Sequence, residues 1–193
     1  MTFLKFKHIN RTPILCFLFF ICSEANSFSQ VKSDTVLFSD QTAKPSVLHT
    51  MVGYLDSLDG LRETIVNKAF PFVGTPYKYA SSGPSSFDCS GFTQFLFAYV
   101  DMILPHNAFL QSQLGNIVKL TEAIKGDLMF FGYKSKDGSN HISHVGMVYS
   151  NRNGVVEMIH ASTSEGVRID RTDSNNWTNY WSKKFIFAKR LVD

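Results

Sequence analysis

Apolar and polar positions divide this chain into a helical first part and a strand-rich second part. Within Val47 to Phe72, Leu61, Ile65 and Ala69 recur at the spacing of one helix face, and Pro71 is expected to end the run. Gly74 to Phe87 is rich in Gly, Pro, Ser and Tyr and reads as a loop. Phe92, Phe95, Leu96, Tyr99 and Val100 then mark a second, more strongly apolar helix face, with Asp88 or Ser86 available to cap its start. Beyond a polar crossover carrying Pro105, His106, Asn107 and Gln111, the period shortens to two. Strands are predicted at Asp127 to Phe131, Ile142 to Tyr149, Val155 to Ala161, Val167 to Asp170 and Phe185 to Leu191, separated by Gly and Asn clusters. Helices first and an antiparallel-type sheet second predict an α+β domain.

The amino-terminal residues differ in kind. Lys5, Lys7 and Arg11 precede an apolar run from Ile14 to Cys22, and small and polar residues follow to Ser29. That is the three-part layout of a secretory signal peptide, expected over residues 1–29 with cleavage after Ser27 or Ser29. The apolar run is about half the ~20 residues that a membrane-spanning helix needs, so no permanent membrane span is expected. Ile21 before Cys22 and Leu15 before Cys16 disfavour a lipid-anchored form, which needs a small residue there. Residues 30–60 form an N-terminal arm and residues 61–193 the folded domain. The arm shows no run of alternating strands, so no additional small β-domain is expected there.

Loss of residues 1–29 would lower the basic residues from 19 to 16 and the acidic ones from 16 to 15, leaving a formal charge near +1. The basic character therefore resides partly in the leader, and no nucleic-acid partner is inferred from it. The three cysteines would fall to one, because Cys16 and Cys22 lie in the leader. A lone cysteine cannot form an internal disulfide, and a thiol in an oxidising compartment must be buried or used.

Cys89 is that thiol, in the first turn of the second helix. Thiols attack as thiolates, and a free cysteine is only a few per cent ionised at neutral pH. A helix N-terminus and a nearby imidazolium both favour the thiolate, whereas the adjacent Asp88 opposes it. Asp88 must then cap the helix, point away, or hold a cationic group of a substrate. Among the histidines, His141 and His144 are three apart in a predicted strand, which places them on opposite faces. His144 shares its face with Gly146, which would leave open space beside it, and His141 borders a solvated loop. His160, at the end of the next strand, can sit beside His144 and fix its tautomer. A zinc site of Cys89, His144 and His160, a buried structural cysteine, and ordinary core or surface histidines stay open as alternatives.

The order of motifs narrows the choice. Gly74-Thr-Pro-Tyr77-Lys-Tyr79, Asp88-Cys89-Ser90-Gly91-Phe92, Gly126-Asp127-Leu-Met-Phe-Phe131, His144-Val-Gly146-Met-Val and Ile159-His160 follow one another between about Leu61 and Val192. This arrangement resembles the NlpC/P60 family of cell-wall endopeptidases. The resemblance implies a papain-like α+β fold, with N-terminal helices packed on an antiparallel sheet. It also implies cysteine peptidase activity on peptidoglycan stem peptides, at the bond between the γ-carboxyl of D-glutamate and the following diamino acid. Carried over by motif, Cys89 matches the nucleophile, His144 the general base and His160 the residue that orients it. Tyr77 matches a tyrosine whose hydroxyl sits at the oxyanion, and Asp88 and Ser90 match residues that bind the L-alanine amino end. Many members carry an arginine and then a serine after the Leu-Pro turn. Here His106, Asn107 and Ala108 stand in those places, and His106 is read either as a weaker substitute for the arginine in substrate binding or as an exposed loop residue. No cofactor or metal is implied, and an exported monomer in the periplasm or outside the cell is expected. A non-hydrolytic binding module of the same fold, or an amidase or acyltransferase using the same Cys/His pair, are the competing readings.

Overall fold

The computed structural model describes residues 47–193; the expected signal peptide and the arm as far as Ser46 lie outside the described residues. The first element, α1, is one helix over Val47–Ala69, continuous through the boundary expected after Gly60. It tightens into a 3₁₀ turn at Phe70–Phe72, around Pro71. Its buried face carries Arg62, Ile65, Val66 and Ala69, with Leu58 partly buried beside them. Leu61, expected on this stripe, is exposed. At 100° per residue it sits about 90° from the centre of the face that the buried residues define. Arg62 takes a place on that face because its guanidinium donates to the Val192 carbonyl (2.6 Å) and to Asp59 (2.9 Å).

Helix α2 spans Cys89–Phe97 and ends in a 3₁₀ turn at Ala98–Val100. Phe92, Leu96 and Phe97 are completely buried, whereas Tyr99, expected on the same face, is 45% exposed. The fully buried Phe92, Thr93, Leu96 and Phe97 centre the inward face between Leu96 and Thr93, so Tyr99 lies at its margin. There it stacks edge-on against Phe95 and lies under the Lys68 ammonium. A one-turn helix α3 (Ala108–Gln111) and a short strand β1 (Asn116–Val118) follow in the crossover, where no element was expected.

The remaining strands are β2 (Leu128–Lys134), β3 (Asn140–Arg152), β4 (Val155–Ser162), β5 (Gly166–Arg171) and β6 (Phe185–Arg190). They form one antiparallel sheet of order β1-β6-β2-β3-β4-β5. The five predicted strands are thus present, and the fold is α+β. β2 and β3 extend past their predicted ends into a shared hairpin.

The sheet is covered on both faces, which explains the uninterrupted apolar run Leu128 to Phe131. Leu128, Phe130, Val145, Met147 and Ile159 meet α1 and α2 through Ile65, Phe92 and Leu96. Met129, Phe131, Val148 and Met158 meet Trp177 and Trp181 on the opposite face. Those tryptophans belong to a π-helical turn, Trp177–Trp181, that runs into a helical turn at Ser182–Lys184. Among the described residues no helix is long and apolar enough to cross a membrane.

Candidate active site

Cys89 occupies the first helical position of α2, and Asp88 is the N-cap. Asp88 Oδ1 accepts the Gly91 N–H (2.7 Å) and the Ser90 hydroxyl (3.2 Å), satisfying donors that a helix start leaves open. Its other oxygen, Oδ2, lies 2.8 Å from His106 Nε2. Of the two possible caps, Asp88 is therefore used; the Ser86 carbonyl instead accepts the Ser81 hydroxyl. Loop 74–87 is held against the helix start by the Asp88 N–H on the Ser81 carbonyl (2.8 Å) and by a Phe87 N–H bond to Pro76 (3.1 Å). Gly91 permits this approach, since a Cβ there would collide with the Ser81 carbonyl.

The crossover is fastened to the same helix from the other side. Gln111, fully buried, donates to the Ser90 carbonyl (2.9 Å) and the Pro105 carbonyl (2.8 Å) and accepts from Thr93 (2.7 Å). That places His106 over the N-cap. Asn107 caps α3 through the Leu110 N–H (2.9 Å), and Ala108 is buried beneath it. Tyr77, Asp88, Cys89, Ser90 and His106 consequently line one cleft of about 260 Å³. Asp88 is the one carboxylate among its lining residues.

On the sheet side, the Val145 N–H, one residue beyond His144, acts on the Cys89 thiol and favours its thiolate. The registered pairing of β3 with β4 begins at Met147, so the thiol enters where the two strands part. His144 Nε2 lies 2.9 Å from His160 Nδ1, and His160 Nε2 lies 2.9 Å from Asp170 Oδ2. The His144 ring rests against Phe131 and Trp181.

Two expectations about this strand are corrected. Phe131 pairs with His144 but Gly132 pairs with Ile142, so Ser143 is the extra residue of a β-bulge. The bulge cancels one step of the alternation. His141 and His144 therefore share a face, His141 stacked on Tyr133 (4.5 Å between ring centroids) and His144 tilted against Phe131 (6.0 Å). His141 remains exposed at the hairpin end. Nor is the space beside Gly146 open: Met158 and His160 fill it, and a Cβ at Gly146 would come within 2.6 Å of the Met158 sulfur.

Protonation follows from burial. Burial pushes the Cys89 thiol up, and the Asp88 charge adds to this, against the Val145 and Ser90 N–H groups that lower it. Burial pushes His144 well below the usual imidazole range, helped by His160 and opposed by Asp170. The resting pair is thus a neutral thiol and a neutral imidazole, not a preformed ion pair. Tyr77 is raised by burial and then by Cys89 and Asp88, which puts its hydroxyl within electrostatic reach of the sulfur. Such a set can supply a nucleophile, an imidazole base on the adjoining strand, and backbone and phenolic donors for an anion forming near the thiol. Among the described residues, no cluster of three or more His, Cys, Asp or Glu side chains has the geometry to hold a metal ion.

Sequence reasoning passed over Asp170, Gln111 and the bulge. The available signal for Asp170 was a carboxylate in a strand otherwise built to be buried.

Comparison with known proteins places this architecture. Residues 74–188 match the model of the NlpC/P60 family. The "Probable endopeptidase p60" of Listeria grayi is 38% identical over 108 residues, covering 56% of this chain but only 19% of the relative. The "Gamma-DL-glutamyl hydrolase" of Bacillus subtilis is 31% identical over 135 residues, 69% of this chain and 31% of that protein. The chain thus spans between about a fifth and a third of the length of these relatives. Among solved structures, the NlpC/p60 domain of the peptidoglycan hydrolase SagA superposes with a TM-score of 0.53 at 27% identity, over 67% of this chain and 97% of that domain.

Proposed function

The chain belongs to the NlpC/P60 family, and from that premise we propose that it is an exported cysteine peptidase of peptidoglycan stem peptides. The bond cut joins the γ-carboxyl of D-glutamate to the next diamino acid. The observation that carries this reading is the placement of Cys89: first turn of a core-packed helix, lining a cleft, its sulfur one residue from a histidine bonded to a second histidine. The name of the Bacillus subtilis relative supports the γ-glutamyl bond.

In this mechanism His144 takes the thiol proton as Cys89 sulfur attacks the γ-glutamyl carbonyl carbon. The resulting oxyanion is held by the Cys89 N–H and the Tyr77 hydroxyl. Collapse breaks the C–N bond, and the leaving amine takes the proton from His144. Water, deprotonated by His144, then attacks the thioester and releases the glutamyl carboxylate and the thiol. Asp88 and Ser90 receive the amino end of the stem. An ammonium there competes with His106 for Asp88 Oδ2, so His106 tunes that subsite. Residues 1–29 are the signal peptide that exports the enzyme, 30–60 an arm, and 61–193 the catalytic domain.

The test is mass spectrometry of purified muropeptides before and after incubation. New fragments cut after γ-D-glutamate are expected with the native protein and none with Cys89→Ala. Binding without cutting indicates the binding module, and scission of another bond indicates an amidase. Cleavage that survives Cys89→Ala sinks the cysteine mechanism.

A further inference from the structure

Asp170 sits at the far end of the histidine pair, and its surroundings decide more than its own position. The carboxylate is 3% exposed and receives four donors. Oδ1 accepts from Arg168 Nη2 (2.8 Å) and Asn176 Nδ2 (2.9 Å). Oδ2 accepts from Trp181 Nε1 (3.0 Å) and faces His160 Nε2 (2.9 Å). Indole and guanidinium groups can only donate, so each carboxylate oxygen accepts at least one bond, which favours the ionised group. Burial alone would raise its pKa, but the bonds from His160 and Asn176, with the neighbouring charge of Arg168, hold it at about 2.

The rest follows by donor and acceptor accounting. Facing a carboxylate oxygen, His160 Nε2 carries a proton. His160 is fully buried, and burial lowers its pKa against the pull of Asp170, so the ring is neutral and its Nδ1 can only accept. His144 Nε2, 2.9 Å away, must then be the donor. That leaves His144 Nδ1 as the unprotonated nitrogen.

We propose that Asp170 is a positioning residue which, through His160, fixes the tautomer of His144 so that Nδ1 is the nitrogen available to take the Cys89 proton. The protein then works with an ordered chain of four side chains, Cys89, His144, His160 and Asp170. Arg168, Asn176 and Trp181 hold the last of them still. Once His144 has accepted the thiol proton at Nδ1, its Nε2–H still donates to His160, and the positive charge is stabilised by Asp170 through the intervening ring. The tautomer assignment rests on this hydrogen-bonded chain and on a neutral, buried His160; its consequence for turnover rests on the hydrolase reading above.

Asp170→Asn tests the idea because an amide cannot accept on both sides. Its oxygen will face the cationic Arg168 and Asn176, so its NH₂ faces His160. His160 must then carry its proton on Nδ1 and donate to His144 Nε2, which forces the His144 proton onto Nδ1 and removes the base. Nitrogen-15 chemical shifts of the imidazoles report these tautomers directly. In the native protein His144 is expected to be protonated on Nε2 and bare on Nδ1, and the assignment inverts in Asp170→Asn. On muropeptides kcat should fall about 10²–10³-fold with KM within about threefold. A native His144 protonated on Nδ1 overturns the proposal whether or not the variant folds. So does a folded Asp170→Asn that keeps the native tautomer. The tautomer readout needs no turnover, which separates failure of this inference from failure of the proposed reaction.

Discussion

Gly146→Ala probes how tightly the sheet holds the histidine pair. The added Cβ would lie 2.6 Å from Met158 Sδ, 2.7 Å from Met158 Cγ and 3.1 Å from His160 Cβ. Ordinary carbon–carbon contacts are about 3.5–4.0 Å, so the methionine must retreat by roughly 1 Å and His160 by a few tenths. Met158 is fully buried in the cluster with Trp177 and Trp181, so its retreat must displace packed neighbours. Overpacking of this kind costs about 1–3 kcal/mol. Alanine also narrows the unfolded ensemble, which returns about 0.4–1 kcal/mol. The net expectation is a loss of about 1–2 kcal/mol, or roughly 3–6 °C in Tm for a domain of this size. Because His160 Cβ is one of the atoms displaced, its bond to His144 lengthens from 2.9 Å and kcat should fall by up to about tenfold at nearly constant KM. Urea unfolding at pH 7.5, followed by muropeptide kinetics on the same preparation, measures both effects. Unchanged or increased stability with unchanged kcat would refute the packing argument.

Two further outcomes follow from the charges. His144 and His160 titrate below the usual imidazole range, so the unfolded chain takes up these protons first as pH falls past about 6.5; stability is therefore greatest above that pH and declines below it. Asp170, with its pKa at about 2 against about 4 when unfolded, adds a second loss between about pH 4 and 2, worth roughly 2 kcal/mol. Thermal melts from pH 8 to 3 should show Tm dropping in two stages, and a flat Tm between pH 7.5 and 5 contradicts the buried neutral histidines. Asp88→Asn keeps a good N-cap for α2 but removes the charge that raises the Cys89 thiol. Stability should change by less than about 1 kcal/mol while iodoacetamide reacts faster at pH 7; slower alkylation than native would mean that Asp88 assists the thiolate.

Local sequence by itself determined the elements and the identity of the reactive groups. Phe92 and Leu96 announce a core-facing helix because burial selects apolar side chains at its period, and five strands declare themselves by alternation and by the Gly and Asn turns between them. The motif around Cys89 carries its own chemistry, since a thiol at a helix start and its N-cap depend on neighbours a few residues away. What the tertiary structure decided are relations between distant segments. Tyr99 falls at the margin of the face that packing selects, and Leu61 yields its place to Arg62, whose partner Val192 is 130 residues away. The bulge at Ser143 exists only in the pairing of β3 with β2, and it reverses the facing that a regular strand would give His141 and His144. Asp170 reads in sequence as one more acidic residue; only the β4–β5 register and the returning Trp181 bring four donors onto it. Periodicity reports which way a side chain points within its own element. Which hydrogen-bond partner it meets depends on sheet register and loop closure, and these are settled by the packing of the whole domain.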